Sequence, residues 1–189
     1  FLIRHGRTAY NHQKRFLGCT DEPLDEEGHA QARSLAARFA SPLTAVYASP
    51  LSRASETAEY LGQRVSLVKD LRELHQGHLE GMKAPEAIAR YPGFFARWAV
   101  DPTNAHVPGG ESLGELQTRA VRALTEIVGA HRAGDQVAVV THQMVIASLS
   151  CAVQGQPLAR WREFTVPNTA VCGLDWRSQE WVFHGKVDV

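Results

Sequence analysis

The sequence has no excess of charge of either sign. Its 189 residues include 20 lysines and arginines and 20 aspartates and glutamates, so the formal net charge at pH 7 is zero. A protein that binds a nucleic-acid backbone usually carries a basic excess, and we therefore expect no nucleic-acid partner. Hydrophobic residues make up 44% and charged residues 21%, a composition that excludes a disordered chain and is typical of a globular domain.

Cysteine is scarce, with only Cys19, Cys151 and Cys172 in the chain. Three widely spaced cysteines form neither a disulfide framework nor a paired metal-binding motif. This usage fits a reducing compartment, and we expect a cytoplasmic protein.

Long apolar runs are also scarce, although residues 136–159 contain no charged side chain. That length would be sufficient for a transmembrane helix. Polar residues interrupt the stretch, however, among them His142 and Gln143. A short β-branched strand over 137–140 followed by a buried helix over 144–153 explains it better. We therefore expect no membrane partner.

The whole chain alternates predicted strands and helices. Strands are predicted at 1–3, 43–48, 65–68, 137–140, 164–166, 171–176 and 181–183. Helices are predicted at 24–40, 49–61, in two pieces within 83–98, from 113 onwards and at 144–153. Ser49 is the expected N-cap of one helix, and Ser112 begins a capping box. Apolar strands alternating with helices indicate a mostly parallel sheet covered on both faces, in a single α/β domain over 1–189.

Polar side chains follow three of the predicted strands. Arg4 and His5 follow the first strand, and Arg53 comes shortly after the second. His142 follows the strand at 137–140. Ligands of open α/β sheets bind beyond the carboxyl ends of the strands, so these side chains should converge on one crevice. Arginine and histidine without a carboxylate cluster predict a site for a dianionic phosphate, with no metal and no cofactor.

An ordered set of motifs runs through nearly the whole chain. Its members are Arg4-His5-Gly6 with Thr8 and Asn11, residues 18–24, Ser49-Pro50-Leu51 with Arg53, Leu71-Arg72-Glu73, residues 108–112, and Thr141-His142. The set resembles the histidine phosphatase superfamily, the phosphoglycerate mutase-like proteins. The resemblance implies their three-layer α/β/α fold with a mostly parallel, mixed central sheet.

The resemblance also implies a role for each matching residue. His5 would be the nucleophile that forms a phosphohistidine, and Glu73 the general acid and then base. Arg4, Arg53 and His142 would clamp the transferring phosphoryl group. Contacts with the substrate are predicted for Thr8, Asn11, Arg15, Gly18 and Gln143.

Gln143 departs from the family pattern, because many members have glycine directly after the second histidine. A backbone N–H survives the change, so phosphate binding need not suffer. The pair His142-Gln143 resembles the bisphosphatase domain of the bifunctional fructose-2,6-bisphosphate enzyme, where the glutamine side chain can reach the sugar. This resemblance favours a polar substrate.

The segment 82–110 is expected to be an insertion that forms a lid over the site. Cofactor-dependent mutases of the family have a longer insertion with two adjacent arginines, whereas Arg90 and Arg97 stand singly here. We therefore favour a metal-independent hydrolase of small-molecule phosphate monoesters. A cofactor-dependent phosphoglycerate mutase and a catalytically silent phosphate-binding module stay open as alternatives. A homodimer is also left open.

Three further groups have two interpretations each. Phe94, Phe95 and Trp98 either line a pocket for the leaving group or dock the insertion onto the body of the domain. Lys14, Arg15 and Lys83 either bind a second anionic group or form solvated surface. His75 and His78 either belong to a zinc site with His5 and His142 or, as the broken helical spacing favours, bind no metal.

Overall fold

A six-stranded mixed sheet forms the centre of the computed structural model, which describes residues 1–62, 64–177 and 180–189. In chain order the strands are β1 (Leu2–Arg4), β2 (Ala45–Ala48), β3 (Val65–Leu67), β4 (Val137–Thr141), β5 (Val171–Arg177) and β6 (Glu180–Lys186). Their spatial order is β3-β2-β4-β1-β5-β6. The first four strands are mutually parallel. Strand β5 is antiparallel to β1, and β6 is antiparallel to β5. The predicted mostly parallel sheet is confirmed.

Helices connect the strands in most places. They are α1 (Ala9–His12), α2 (Glu26–Ala36), α3 (Ser52–Glu59), α4 (Ala84–Arg90), α5 (Pro92–Val100), α6 (Leu113–Gly129) and α7 (Gln143–Val153). Short 3-10 helices lie at Lys69–Leu71, Gly77–Leu79 and Leu158–Phe164. The predicted capping box at Ser112 and the division of the insertion into two helices are confirmed.

Apolar side chains of the sheet alternate between two separate clusters. Leu2 and Val139 belong to one cluster, which α6 and α7 cover. Ile3 and Val140 belong to the other, which α2 and α3 cover. Successive side chains of a strand point to opposite faces, so both faces of the sheet are buried. The three-layer α/β/α architecture follows from this alternation.

The register of β1 on β4 brings two histidines together. Arg4 pairs with Thr141 in these parallel strands, so the next residues, His5 and His142, leave the sheet side by side at its carboxyl edge. The N–H of His5 donates to the Thr141 carbonyl at 3.0 Å. Sheet pairing therefore brings together two histidines that lie far apart in the sequence.

Ser49 does not cap α3, so that prediction is wrong. The helix begins at Ser52, and its N-cap Leu51 supplies no side-chain hydrogen bond. The backbone is still extended at Leu51, which leaves Ser49 in the turn above β2. Its hydroxyl lies against His142 instead.

The predicted strand at 164–166 is also absent from the described structure. A 3-10 helix ends at Phe164. The polar backbone groups of Val166 pair with side chains, because its carbonyl accepts from Arg4 and its N–H donates to Gln143. Because side chains bond to both groups, Val166 does not form the backbone hydrogen bonds of a strand.

None of the helices in the described ranges is long and apolar enough to cross a membrane. The charge-free stretch at 136–159 contains β4 and α7, as predicted from its β-branched and helical parts.

A close backbone approach places the start of α2 against the loop that follows β1. A Cβ on Gly28 would lie 2.0 Å from the Arg7 carbonyl oxygen, and a Cβ on Gly6 would lie 2.6 Å from the Gly28 carbonyl oxygen. Both neighbours are backbone atoms, which cannot rotate away. Glycine at these two positions is therefore what lets α2 pack against the loop that carries His5.

Replacing Gly28 by alanine is expected to lower the free energy of unfolding by about 1–3 kcal/mol, the usual cost of overpacking. The matched control is Gly129→Ala, because nothing lies within 4 Å of a Cβ added at this exposed helical glycine. The control should be neutral or stabilise by about 0.5–1 kcal/mol. Urea unfolding of both variants measures the difference, and equal stability of the two would contradict the proposed clash.

Candidate active site

Two buried imidazoles form the centre of the site. The ring centroids of His5 and His142 are 5.1 Å apart with an interplanar angle of 59°. Their exposed fractions are 3% and 0%. The convergence of strand ends expected from the sequence is therefore found for this pair.

A backbone carbonyl orients the ring of His5. Its Nδ1 lies 2.7 Å from the carbonyl oxygen of Gly6, and a carbonyl can only accept. Nδ1 therefore carries the proton, and Nε2 of the neutral ring keeps its lone pair. Burial lowers the pKa of His5 well below 6.5, and the charges of Arg53 and Arg4 lower it further. At neutral pH this side chain is therefore uncharged.

A serine hydroxyl holds the ring of His142. Its Nε2 lies 2.7 Å from Ser49 Oγ, while its Nδ1 is buried without a hydrogen-bond partner in the described part of the chain. Burial, followed by the charge of Arg53, lowers the pKa of His142 well below 6.5. If the hydroxyl donates to Nε2, Nδ1–H is left as a donor for a ligand. Sequence reasoning missed this function of Ser49, although the residue lies in a recognised motif.

Carbonyl groups fix the fully buried Arg53. Its Nη1 and Nη2 donate to the carbonyl oxygens of Thr20 and Gly18 at 2.9 and 2.7 Å. Its Nε has no partner among the described residues. The N–H of Gly18, which the sequence suggested as a substrate donor, donates to the Glu80 carboxylate at 3.0 Å. Glu80 thus holds the loop that in turn holds Arg53.

Gln143 holds Arg4. The Nη1 of Arg4 donates to Gln143 Oε1 at 2.9 Å and to the Val166 carbonyl at 2.6 Å. The same glutamine oxygen accepts from the N–H of Val166 at 3.2 Å. Within the described residues, Arg4 Nε and Gln143 Nε2 are buried without partners. The glutamine that replaces the family's usual glycine therefore orients one arginine of the site.

Glu73 is a buried carboxyl group, 5% exposed. Its two oxygens accept the N–H groups of Leu74 at 2.8 Å and Met144 at 3.2 Å. Burial raises its pKa above the usual 4.5, against the opposing effects of these two hydrogen bonds and of Arg53 and Arg4. A carboxyl group in this position can keep its proton at a pH where exposed glutamates have lost theirs.

Asn11 is connected to His5 through a residue that the sequence reasoning missed. Thr8 caps α1 in a reciprocal capping box with Asn11. The Nδ2 of Asn168 donates to Asn11 Oδ1 at 3.3 Å and to the His5 carbonyl at 2.9 Å. The Pro-Asn pair before β5 indicates a turn, but the pairing of β5 with β1 is what brings this turn to His5.

The sequence left two interpretations open for three basic residues and two histidines. Their side chains lie outside the hydrogen-bond network of His5, His142, Arg4 and Arg53. Arg15 donates to the Gly81 carbonyl and to Gln13 at 2.6 and 2.7 Å. The side chains of Lys14, Lys83, His75 and His78 are exposed. Over 1–62, 64–177 and 180–189, no three His, Cys, Asp or Glu side chains are grouped to hold a metal ion.

The aromatic residues of the insertion divide into two groups. Phe94 and Trp98 are 5% and 7% exposed and belong to the larger apolar core. Phe95 is half-buried and packs against Phe16, with ring centroids 6.3 Å apart. The burial of Phe94 and Trp98 favours the interpretation that they dock the insertion onto the domain.

Known proteins are similar to this chain in sequence and in fold. An Arabidopsis thaliana protein named phosphoglycerate mutase-like protein 4 is 34% identical over 194 residues, which cover 95% of this chain and 83% of that protein. The solved structure of Bacillus stearothermophilus YhfR superimposes with a TM-score of 0.87 at 32% identity, covering 100% of this chain and 96% of that one.

A mycobacterial glucosyl-3-phosphoglycerate phosphatase, solved in complex with VO3, superimposes with a TM-score of 0.85 at 31% identity. The match covers 97% of this chain and 96% of that one. The family model for the histidine phosphatase superfamily (branch 1) matches residues 1–189. The resemblance seen in the motifs is thereby confirmed, and the chain belongs to the histidine phosphatase superfamily.

Proposed function

We propose that the protein is a metal-independent phosphomonoester hydrolase that forms a phosphohistidine on His5. The observation that carries this proposal is the fixed tautomer of His5 beside Arg4 and Arg53. Nδ1–H donates to the Gly6 carbonyl, with 2.7 Å between nitrogen and oxygen, so Nε2 is free to act as a nucleophile, and the charges of Arg53 and Arg4 act on the ring. A phosphatase among the structural relatives, the mycobacterial protein solved with VO3, supports the hydrolase reaction.

In the first step, Nε2 of His5 attacks phosphorus and the bond from phosphorus to the leaving oxygen breaks. The proton of Glu73 passes to that oxygen, and the product leaves as an alcohol. The phosphorylated ring is cationic, and its Nδ1–H remains bonded to the Gly6 carbonyl. The raised pKa of Glu73 favours the protonated form that this step needs.

In the second step, water attacks phosphorus and gives its proton to the Glu73 carboxylate. The bond between nitrogen and phosphorus breaks, inorganic phosphate leaves, and His5 returns to its neutral form. Glu73 therefore ends the cycle protonated, and no metal or cofactor is required to balance the reaction.

Arg4, Arg53 and His142 are proposed to bind the oxygens of the transferring group. In phosphoryl transfer, positioning and electrostatics supply most of the catalysis. Among the described residues, the Nε atoms of both arginines and Nδ1 of His142 have no hydrogen-bond partner. With Nδ1 protonated, all three are donors already held in place. Asn11 is proposed as a further donor.

Hydrolysis is favoured over phosphoryl transfer back to a sugar acid because the insertion has no adjacent arginine pair. A silent binding module is disfavoured because the set of His5, Glu73 and both arginines is complete.

We also propose that the insertion at 82–110 forms a lid. The carbonyl of its first residue, Met82, accepts the N–H of Phe16 at 2.9 Å. Phe16 lies two residues before Gly18, whose carbonyl binds Arg53.

Replacing His5 by alanine is expected to reduce phosphate release from para-nitrophenyl phosphate by at least about a thousandfold, because the nucleophile is lost. The wild-type activity should survive excess EDTA. His75→Ala is the matched control, since this exposed histidine lies outside the network and should keep full activity. Phosphate release is measured by a colorimetric assay.

Three results would reject this proposal. Activity abolished by EDTA indicates a metal enzyme, and activity retained by His5→Ala indicates another nucleophile. If monophosphoglycerates isomerise much faster than they release phosphate, the mutase alternative is correct.

Replacing Glu73 by glutamine is expected to slow hydrolysis of an alkyl phosphate by about a hundredfold or more, the usual contribution of a general acid. Nitrophenolate leaves without much protonation, so hydrolysis of the nitrophenyl ester should fall by less than about tenfold. The ratio of the two kcat values is the measurement. Equal losses on both substrates would show that Glu73 is not the acid.

The pH dependence of kcat/KM is expected to be bell-shaped. Activity should rise through the lowered pKa of His5, so the acidic limb lies below pH 6.5. It should fall as Glu73 loses its proton, above the usual carboxyl value of 4.5. The measurement is kcat/KM from about pH 4 to about pH 9 for two substrates whose phosphate groups differ in pKa. A limb that belongs to the enzyme stays at the same pH for both substrates, and one caused by substrate ionisation does not. An alkaline limb that persists unchanged in Glu73→Gln would contradict the assignment.

A further inference from the structure

Arg119 of α6 binds the main chain of the segment that carries Glu73. Its Nη1 donates to the carbonyl oxygens of Asp70 and Arg72 at 2.7 and 2.6 Å. Its Nη2 donates to the carbonyl oxygen of Glu73 itself at 3.0 Å. The Asp70 carbonyl lies within the short 3-10 helix Lys69–Leu71, and those of Arg72 and Glu73 follow it, where regular structure offers few partners for them.

Glu111 completes the arrangement from the other side. Its carboxylate accepts the Nη2 and Nε of Arg119 at 2.5 and 3.2 Å. The same carboxylate accepts the N–H of His75 at 2.9 Å. The Arg119–Glu111 pair therefore holds the main chain both at Glu73 and two residues beyond it.

Gly110, directly before Glu111, allows this contact to form. A Cβ on Gly110 would lie 2.0 Å from the His75 carbonyl oxygen. The N–H of His78 donates to the Pro108 carbonyl at 2.8 Å. The motif at 108–112 is thus packed directly against the segment that follows Glu73.

We infer that Arg119, oriented by Glu111, is a positioning residue for Glu73. This inference rests on the proposed role of Glu73 as the general acid. The planar fork of Arg119 makes five hydrogen bonds from three nitrogens, which the three donors on the single nitrogen of lysine cannot reproduce. Loss of the fork should let the Glu73 backbone shift while His5, Arg4 and Arg53 keep their places.

The test is Arg119→Lys, which keeps the charge and removes the fork. The matched control is Arg122→Lys, one turn later on α6, because Arg122 is exposed and binds the Asp70 carboxylate of the same segment at 2.6 Å. Arg119→Lys should lower kcat for an alkyl phosphate by about 10- to 100-fold, the effect of a small misplacement. Its kcat for the nitrophenyl ester should fall by less than about threefold, and KM should change little. Arg122→Lys should leave both substrates unaffected.

A double variant distinguishes positioning from general stability. In a Glu73→Gln background, Arg119→Lys should cause no further loss on the alkyl phosphate, because the group that it positions is already gone. An added loss of full size on both substrates would indicate a merely structural role and overturn the inference. If Arg119→Lys does not fold, Glu111→Gln carries the same test, since it weakens the hold on Arg119 and on His75 together.

The outcomes separate this inference from the proposed function. One outcome is a loss of kcat that depends on the leaving group in Glu73→Gln but not in Arg119→Lys or Glu111→Gln. In that case Arg119 has no positioning role, and the assignment of Glu73 as the general acid stands. If Glu73→Gln itself shows no such dependence, the general-acid assignment fails and the inference fails with it. A shared dependence in all three variants supports both.

Discussion

Positive charge is concentrated out of water at the carboxyl edge of the sheet, and much of the surrounding structure serves to hold it. Arg53 is fully buried and Arg4 half-buried. Main-chain carbonyls and one glutamine, rather than a set of carboxylates, occupy their donors. Two buried imidazoles stay uncharged beside them, so the positive charge at this edge comes from the two guanidinium groups, and the carboxyl groups of Glu73, Glu80 and Asp21 act on Arg53 from nearby. In the proposed function, a dianionic phosphate group binds to these two positive charges.

The groups nearest to the proposed reaction are few, and each is held by a polar group of another residue. The Gly6 carbonyl sets the tautomer of His5, Ser49 holds His142, and Glu80 holds the loop that binds Arg53. Arg119 holds the main chain at Glu73. In the proposed mechanism, catalytic precision therefore depends on polar contacts distributed around the site.

The sequence was sufficient for the order of the elements, because that order depends on local periodicity. β-branched residues at 137–140 and the capping box at Ser112 are local signals, and both predictions hold. The two errors have a common cause. Ser49 and Val166 bond to side chains from other elements, and such a contact overrides a local preference for a cap or a strand.

The sequence by itself determined the family and the residues at its motif positions, since these are encoded as short patterns in a set order. Which atom each residue faces was decided only by the tertiary structure. Asn168 reaches His5 across 163 positions, Ser49 reaches His142 across 93, and Arg119 reaches Glu73 across 46. Contacts between residues so far apart in the sequence arise from sheet register and helix packing. No local pattern around either residue encodes such a contact.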